Sequence, residues 1–168
     1  MAKTRNLNLG CGFSTPEDWV NVDGALGARL AKFPLLSRAA PAVGLIEGQW
    51  ATDIVIQDLR RPLKFADEEF DFVYLSHVLE HFRFSEGRKL LDECLRVLRP
   101  GGSLRVVVPD LRFFIDGYLS GHLPPEDFLS ELHTWPPHQP NRLKALLSPL
   151  FYFPHLCMYD DTPRLSAM

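Results

Sequence analysis

Leu7-Asn8-Leu9-Gly10-Cys11-Gly12 decides how this chain is read. A strand-like triplet runs directly into a Gly-x-Gly bend. With no Cβ atoms in the way, such a bend turns sharply and lets backbone approach a ligand closely. A motif this short is weak on its own; its weight comes from what surrounds it. Asp23 follows Gly10 by 13 residues and closes a second strand-like stretch, Trp19-Val20-Asn21-Val22-Asp23. A carboxylate there can accept hydrogen bonds from both hydroxyls of a ribose. The plainer reading is a turn aspartate before Gly24.

Working outward, Ile54-Val55-Ile56 predicts a third strand running into Gln57-Asp58, and Phe70 to Leu75 a fourth. Leu104 to Val108 predicts a fifth, stopped by Pro109. Ala25 to Ala40 reads as a helix broken at Pro34. The clearest helix starts at a Ser85 N-cap and aligns Leu90, Leu91, Cys94, Leu95 and Leu98 at helical spacing, with Asp92 and Arg96 paired one turn apart. Pro100-Gly101-Gly102 is expected to end it and turn the chain. Strands alternating with helices predict an α/β fold with a largely parallel sheet. Ligands of such sheets bind beyond the carboxyl ends of the strands. The candidate site residues are therefore Gly10, Cys11, Gly12, Asp23, Asp58, Ser76, His77 and Asp110.

The totals narrow the function classes. A length of 168 residues favours one domain, with residues 1–118 as its core and 119–168 as a proline-rich cap. Nine of the 14 prolines lie at or after Pro109. A net charge of −3 without runs of like charge argues against a nucleic-acid surface. The absence of an 18-residue apolar run argues against a membrane span. Three sparse cysteines and an N-terminus lacking an apolar leader segment predict a cytoplasmic protein.

After the fourth strand comes Ser76-His77-Val78-Leu79-Glu80-His81-Phe82, read as the start of a short helix. His77 and His81 would share one helical face. Either can serve as a general base, His81 first and His77 second, because histidine titrates near neutral pH; both can equally be packing residues. The position of Glu80 does not match the His-Glu-x-x-His zinc pattern, and no metal is expected.

In order, Leu-Asn-Leu-Gly-Cys-Gly, Ser-His-Val-Leu-Glu-His and Arg-Val-Leu-Arg-Pro-Gly-Gly resemble the motifs of class I S-adenosylmethionine-dependent methyltransferases. The sequence is most similar to small bacterial type 11-like methyltransferase proteins associated with glycan biosynthesis, which share Trp-x-Asn-x-Asp, Val-Val-Val-Pro-Asp and a later Met-Tyr-Asp, here Met158-Tyr159-Asp160. The resemblance implies a Rossmann-like sheet of about five strands in the order 3-2-1-4-5 with helices on both faces. It implies S-adenosylmethionine as cofactor. Gly10, Cys11 and Gly12 would pack against its methionine and ribose, Asp23 would hold the ribose hydroxyls, Asp58 and Leu59 would flank the adenine, and Ser76 and His77 would lie under the sulfonium.

Three departures stand out. Ser14 replaces the third glycine, and Asn8 the usual acidic residue before the bend. The short spacing from Gly10 to Asp23 argues against a nicotinamide dinucleotide site, where the acid stands about 20 residues on. Strands six and seven of the family are not legible after Pro109, so the expectation is that they are absent, the C-terminal end being shortened, or that a loop-rich cap or a second copy of the chain covers the sheet edge. His133, His138, His155 and Tyr118 are candidates to line an acceptor pocket. The expected activity is methyl transfer to a small-molecule or glycan-related acceptor. The alternative is an inactive S-adenosylmethionine-binding scaffold whose apolar stretch, Leu143 to Phe153, docks on a partner.

Overall fold

The computed structural model describes residues 4–33, 50–133 and 153–160. Five strands form one parallel sheet: β1 (Asn6–Leu9), β2 (Trp19–Asp23), β3 (Val55–Ile56), β4 (Phe70–Ser76) and β5 (Leu98–Val107). Their order is β3-β2-β1-β4-β5, the expected one. Helix α1 (Leu26–Ala31) follows β2, α2 (Phe84–Val97) lies between β4 and β5, and α3 (Leu111–Leu119) and α4 (Pro125–Glu131) follow β5. The order reverses between β1 and β4, so a ligand crevice belongs above their carboxyl ends.

Alternation along the strands sorts the two faces. Leu7 and Leu9 pair with Val20 and Val22 on one side and with Val73 and Leu75 on the other. All six belong to or pack on the main core, with Leu90, Cys94 and Val97 of α2 laid across them. The intervening positions show the second face. Asn8 stands between Asn21 and Tyr74, and the Trp19 ring meets those of Phe72 and Tyr74 at 5.6 and 6.5 Å. A smaller core joins Cys11, Ala28 of α1 and Ile54, with Trp50 against it.

Helix α2 differs from its expected form at both ends. Its N-cap is Arg83, not Ser85, and the Glu86 carboxylate accepts the Arg83 N–H at 3.0 Å. Leu95 faces solvent, because the buried stripe runs through Gly87, Leu90, Cys94 and Val97. Arg96 does not pair with Asp92. Its guanidinium grips both oxygens of Glu93, Asp67 and the carbonyls of Leu63 and Phe65. Pro100-Gly101-Gly102 does not separate helix from strand: β5 begins at Leu98, opposite Phe70, and resumes at Ser103, opposite Phe72, with the intervening residues looped out. The helix expected over Ala25 to Ala40 is seen only as α1; its remainder from Pro34 lies outside the described residues.

No strand follows β5 among the described residues. Residues 153–160 run as an irregular strap beneath the end of β4. Leu156 and Cys157 donate their N–H groups to the Glu80 carbonyl, Leu111 donates to the Tyr159 carbonyl, and Asp110 forms an isolated parallel bridge with Tyr159. No helix among these residues is long and apolar enough to cross a membrane. The apolar stretch 143–152 and His138 lie outside the described residues.

Two ion pairs brace the end of the sheet away from the crevice. The Arg96 hydrogen bonds hold the Glu93 carboxyl below its usual 4.5, with help from the Leu63 N–H. The Arg5 backbone N–H and then the Arg99 guanidinium hold Asp71 below 3.8. A depressed carboxylate stabilises the fold fully above its unfolded pKa and loses that contribution as pH falls through its folded value. Thermal unfolding followed from about pH 7 to about pH 3 should therefore show Tm falling once pH drops below the ordinary carboxylate range. Glu93→Gln should lower Tm at neutral pH and flatten part of that acid slope.

Candidate functional site

The crevice is built around one carboxylate. Asp23 is buried at the end of β2. Its Oδ2 accepts the Gly12 N–H at 2.9 Å and its Oδ1 the Ala25 N–H at 2.7 Å. A carboxylate offers about four lone-pair sites, so two bonds leave acceptor capacity on both oxygens. The bend itself continues the ladder, with the Gly10 and Cys11 N–H groups both reaching the Val22 carbonyl.

Gly10 and Gly12 are required for different reasons. Both have left-handed φ, +66° and +54°. A Cβ on Gly10 would collide with Val78, which follows β4, so this glycine lets two strand ends close together. A Cβ on Gly12 would meet nothing within 4 Å among the described residues. Among the described residues Gly12 therefore fronts open space, where a ligand can approach the backbone.

Asn8, which stands in place of the usual acidic residue, braces the loop after β1. The Asn8 amide is buried and donates to the Ser14 carbonyl and to the Asn21 side chain. Asn21 in turn donates to the carbonyls of Pro16 and Trp19. These two amides tie down the loop that carries the glycines. An asparagine in each of two neighbouring strands was the available signal, and sequence reasoning passed over it.

The remaining candidates divide. Asp58 lies beside the Asp23 end, since Gln57 donates its N–H to the Asp23 carbonyl. Its Oδ1 accepts the Arg60 N–H, which closes its own turn. The Leu59 side chain is in the main core and the Cys11 side chain in the smaller one, so neither side chain is free to contact a ligand. Burial, then nearby Asp23, pushes the Cys11 thiol up to about 12, which leaves it protonated and unreactive at neutral pH. Ser76 ends β4, paired with Val107.

His77 and His81 do not share a helical face. His77 has φ of +54°, which breaks the expected helix; only Leu79–His81 form a single 3-10 turn. A non-glycine residue held in that region is strained, and such strain gathers at functional sites. The His77 side chain is 63% exposed, with Nδ1 3.2 Å from Oε1 of fully buried Glu80. His81 turns the other way. Its Nδ1 donates to the Pro154 carbonyl at 3.3 Å, and its ring packs on His155 and Phe153 of the strap. Burial, with His81, His133 and His77 nearby, pushes His155 down to about 4.

Residues 7–106 match the methyltransferase-domain family. The chain belongs to that family. The cofactor of the family is S-adenosylmethionine, and the open glycine backbone beside a carboxylate with spare acceptor sites fits its nucleoside. Among solved structures, an S-adenosylmethionine-dependent methyltransferase from Methanosarcina mazei is 22% identical, with 71% of this chain and 61% of that one covered and a TM-score of 0.48. One from Archaeoglobus fulgidus is 18% identical, covering 92% and 83%, with a TM-score of 0.46. The (4+2)-cyclase SpnF is 25% identical over 61% of this chain and 38% of its own, with a TM-score of 0.42. The chain thus spans 38% and 61% of the first two solved structures it matches. No protein of curated function matches the sequence.

Exchanging each glycine separates the two roles. Gly10→Ala should lower Tm sharply, because left-handed strain of roughly 1–2 kcal/mol adds to the Val78 collision. Gly12→Ala should carry the strain alone and keep the fold, yet weaken S-adenosylmethionine binding at least tenfold by calorimetry.

Proposed function

We propose that the protein transfers a methyl group from S-adenosylmethionine to a small-molecule or sugar acceptor. The observation carrying this reading is the Asp23 carboxylate, aimed at the glycine bend and bonded to Gly12 with lone pairs to spare. Asp23 holds the ribose through its hydroxyls, and Gly12 admits the nucleoside against the backbone. Asp58 and the backbone of Leu59 border the adenine. The bound cofactor supplies an electrophilic methyl group on a sulfonium.

The acceptor enters over the end of β4, where His77 is the exposed histidine. With Nδ1 turned toward Glu80, the other ring nitrogen is left to accept a hydrogen bond from the incoming hydroxyl or amine. That bond aligns the nucleophile with the methyl group. Alignment is a large part of what such a displacement needs, since effective molarities correspond to about 7–11 kcal/mol. Three free, buried cysteines suit a reducing compartment and support action in the cytoplasm.

Calorimetry with S-adenosylmethionine, S-adenosylhomocysteine and NAD tests the cofactor: the first two should bind and NAD should not. Asp23→Ala should weaken S-adenosylmethionine binding by about 1–3 kcal/mol through lost hydrogen bonds; unchanged affinity removes Asp23 from the site. His77→Ala should leave that affinity within twofold while slowing methyl transfer to a competent acceptor by tenfold or more. Cofactor binding with no methylation across a broad panel of sugars and small molecules would favour the scaffold reading.

A further inference from the structure

We propose that Glu80, His81 and His155 bind one divalent transition-metal ion, zinc being the first choice. The three residues each present one ligand atom, and these atoms lie within 4.8 Å of one another. They come from two separate segments. Glu80 and His81 sit in the 3-10 turn after β4, and His155 in the strap. The strap is fastened there by backbone bonds from Leu156 and Cys157 to the Glu80 carbonyl.

The unsatisfied polar atoms point to what is missing. The Glu80 side chain is wholly buried, and neither oxygen has a hydrogen-bond partner among the described residues. The His77 Nδ1 lies 3.2 Å from one of them without the geometry of a hydrogen bond. The Nδ1 of His155 is likewise buried and without a partner. A buried carboxylate lacking donors is costly, and buried charges are paired or coordinate metals. A cation among these three side chains supplies the counter-charge for Glu80 and a partner for His155 together.

The surroundings suit a metal. His81 Nδ1 donates to the Pro154 carbonyl, which leaves Nε2 as the ring nitrogen available to a metal. Ligating histidines are usually oriented by such a bond from their second nitrogen. Two imidazoles and a carboxylate form a borderline-soft set that favours zinc over magnesium or calcium. Zinc bonds of 2.0–2.1 Å place tetrahedral ligands about 3.3 Å apart, so the set contracts on binding. Three protein ligands leave a fourth position open. The Glu80-His81 dipeptide does not match a helical zinc motif, because the third ligand arrives from 74 residues further on. The site shares Glu80 with the methyl-transfer reading, where that carboxylate faces His77 Nδ1; the metal itself clips the strap to the end of β4, and its binding is read without any activity.

The test uses the full chain, stripped with a chelator and titrated with Zn2+ and, separately, with Co2+ as a spectroscopic probe. The expected result is one Zn2+ per chain, visible d–d bands of a four-coordinate Co2+ site, and a Tm raised by Zn2+ but not by equal Mg2+. His155→Ala and Glu80→Gln should each weaken Zn2+ binding at least tenfold and abolish the Co2+ bands. His122→Ala, away from the cluster, should leave both unchanged. If Glu80→Gln does not fold, His155→Ala carries the test, since it alters only an irregular segment. Failure to bind Zn2+ stoichiometrically, or wild-type affinity in His155→Ala, overturns the proposal.

Discussion

One carboxylate organises the ligand-facing end of this sheet. Asp23 bonds the Gly12 N–H with one oxygen and the Ala25 N–H with the other. It thereby joins the loop after β1, the end of β2 and the start of α1. Hydrogen bonds to an ionised acceptor contribute about 1.5–3 kcal/mol, more than neutral ones. The same bonds that shape the glycine bend fix where the carboxylate points. Asn8 and Asn21 finish the arrangement by holding the far side of the loop through carbonyls at 14, 16 and 19.

The other side of the crevice is built differently. The turn after β4 is almost entirely buried, with Val78, Leu79, Glu80 and Phe82 inside and His77 outside. Left-handed φ at His77 makes that reversal, taking the chain from strand to turn in one residue. The strap then covers the turn from beneath, and its hydrogen bonds fall on backbone: Glu80, Leu79 and Asp110 are all approached through main-chain atoms or by Tyr159. A strand pair in this place would need a regular ladder. The strap's irregularity, with Pro154 within it, is tolerated because only a few bonds are required of it.

Much of the sheet was legible because a strand's period is two. Leu-Asn-Leu and Val-Asn-Val alternate so plainly that their core face follows from the letters, and Phe-Val-Tyr-Leu reads as a strand by its continuous apolar, β-favouring run. The Gly-x-Gly bend and Asp23 follow as well, since their roles depend on backbone freedom and on a charge at a strand end. Helix boundaries were less legible. Ser85 is a good cap by type, but Glu86 reaching back to the Arg83 N–H moved the start two residues earlier. Arg96 had several acidic neighbours, and the choice of Glu93 and Asp67 over Asp92 depends on which side of α2 faces the Leu63–Asp67 loop.

From the amino acids alone came the parallel sheet, its strand order by resemblance, the cofactor class and the ring of residues at the strand ends. These follow from local rules: periodicity, glycine conformation and short motifs. Three-dimensional folding decided which histidine is exposed and which packs against the strap. Their i, i+4 spacing suggested one shared helical face, yet one left-handed residue sends His77 outward and His81 toward the strap. It also brought His155 against Glu80 and His81, because a contact between segments more than 70 residues apart leaves no periodic trace in the chain.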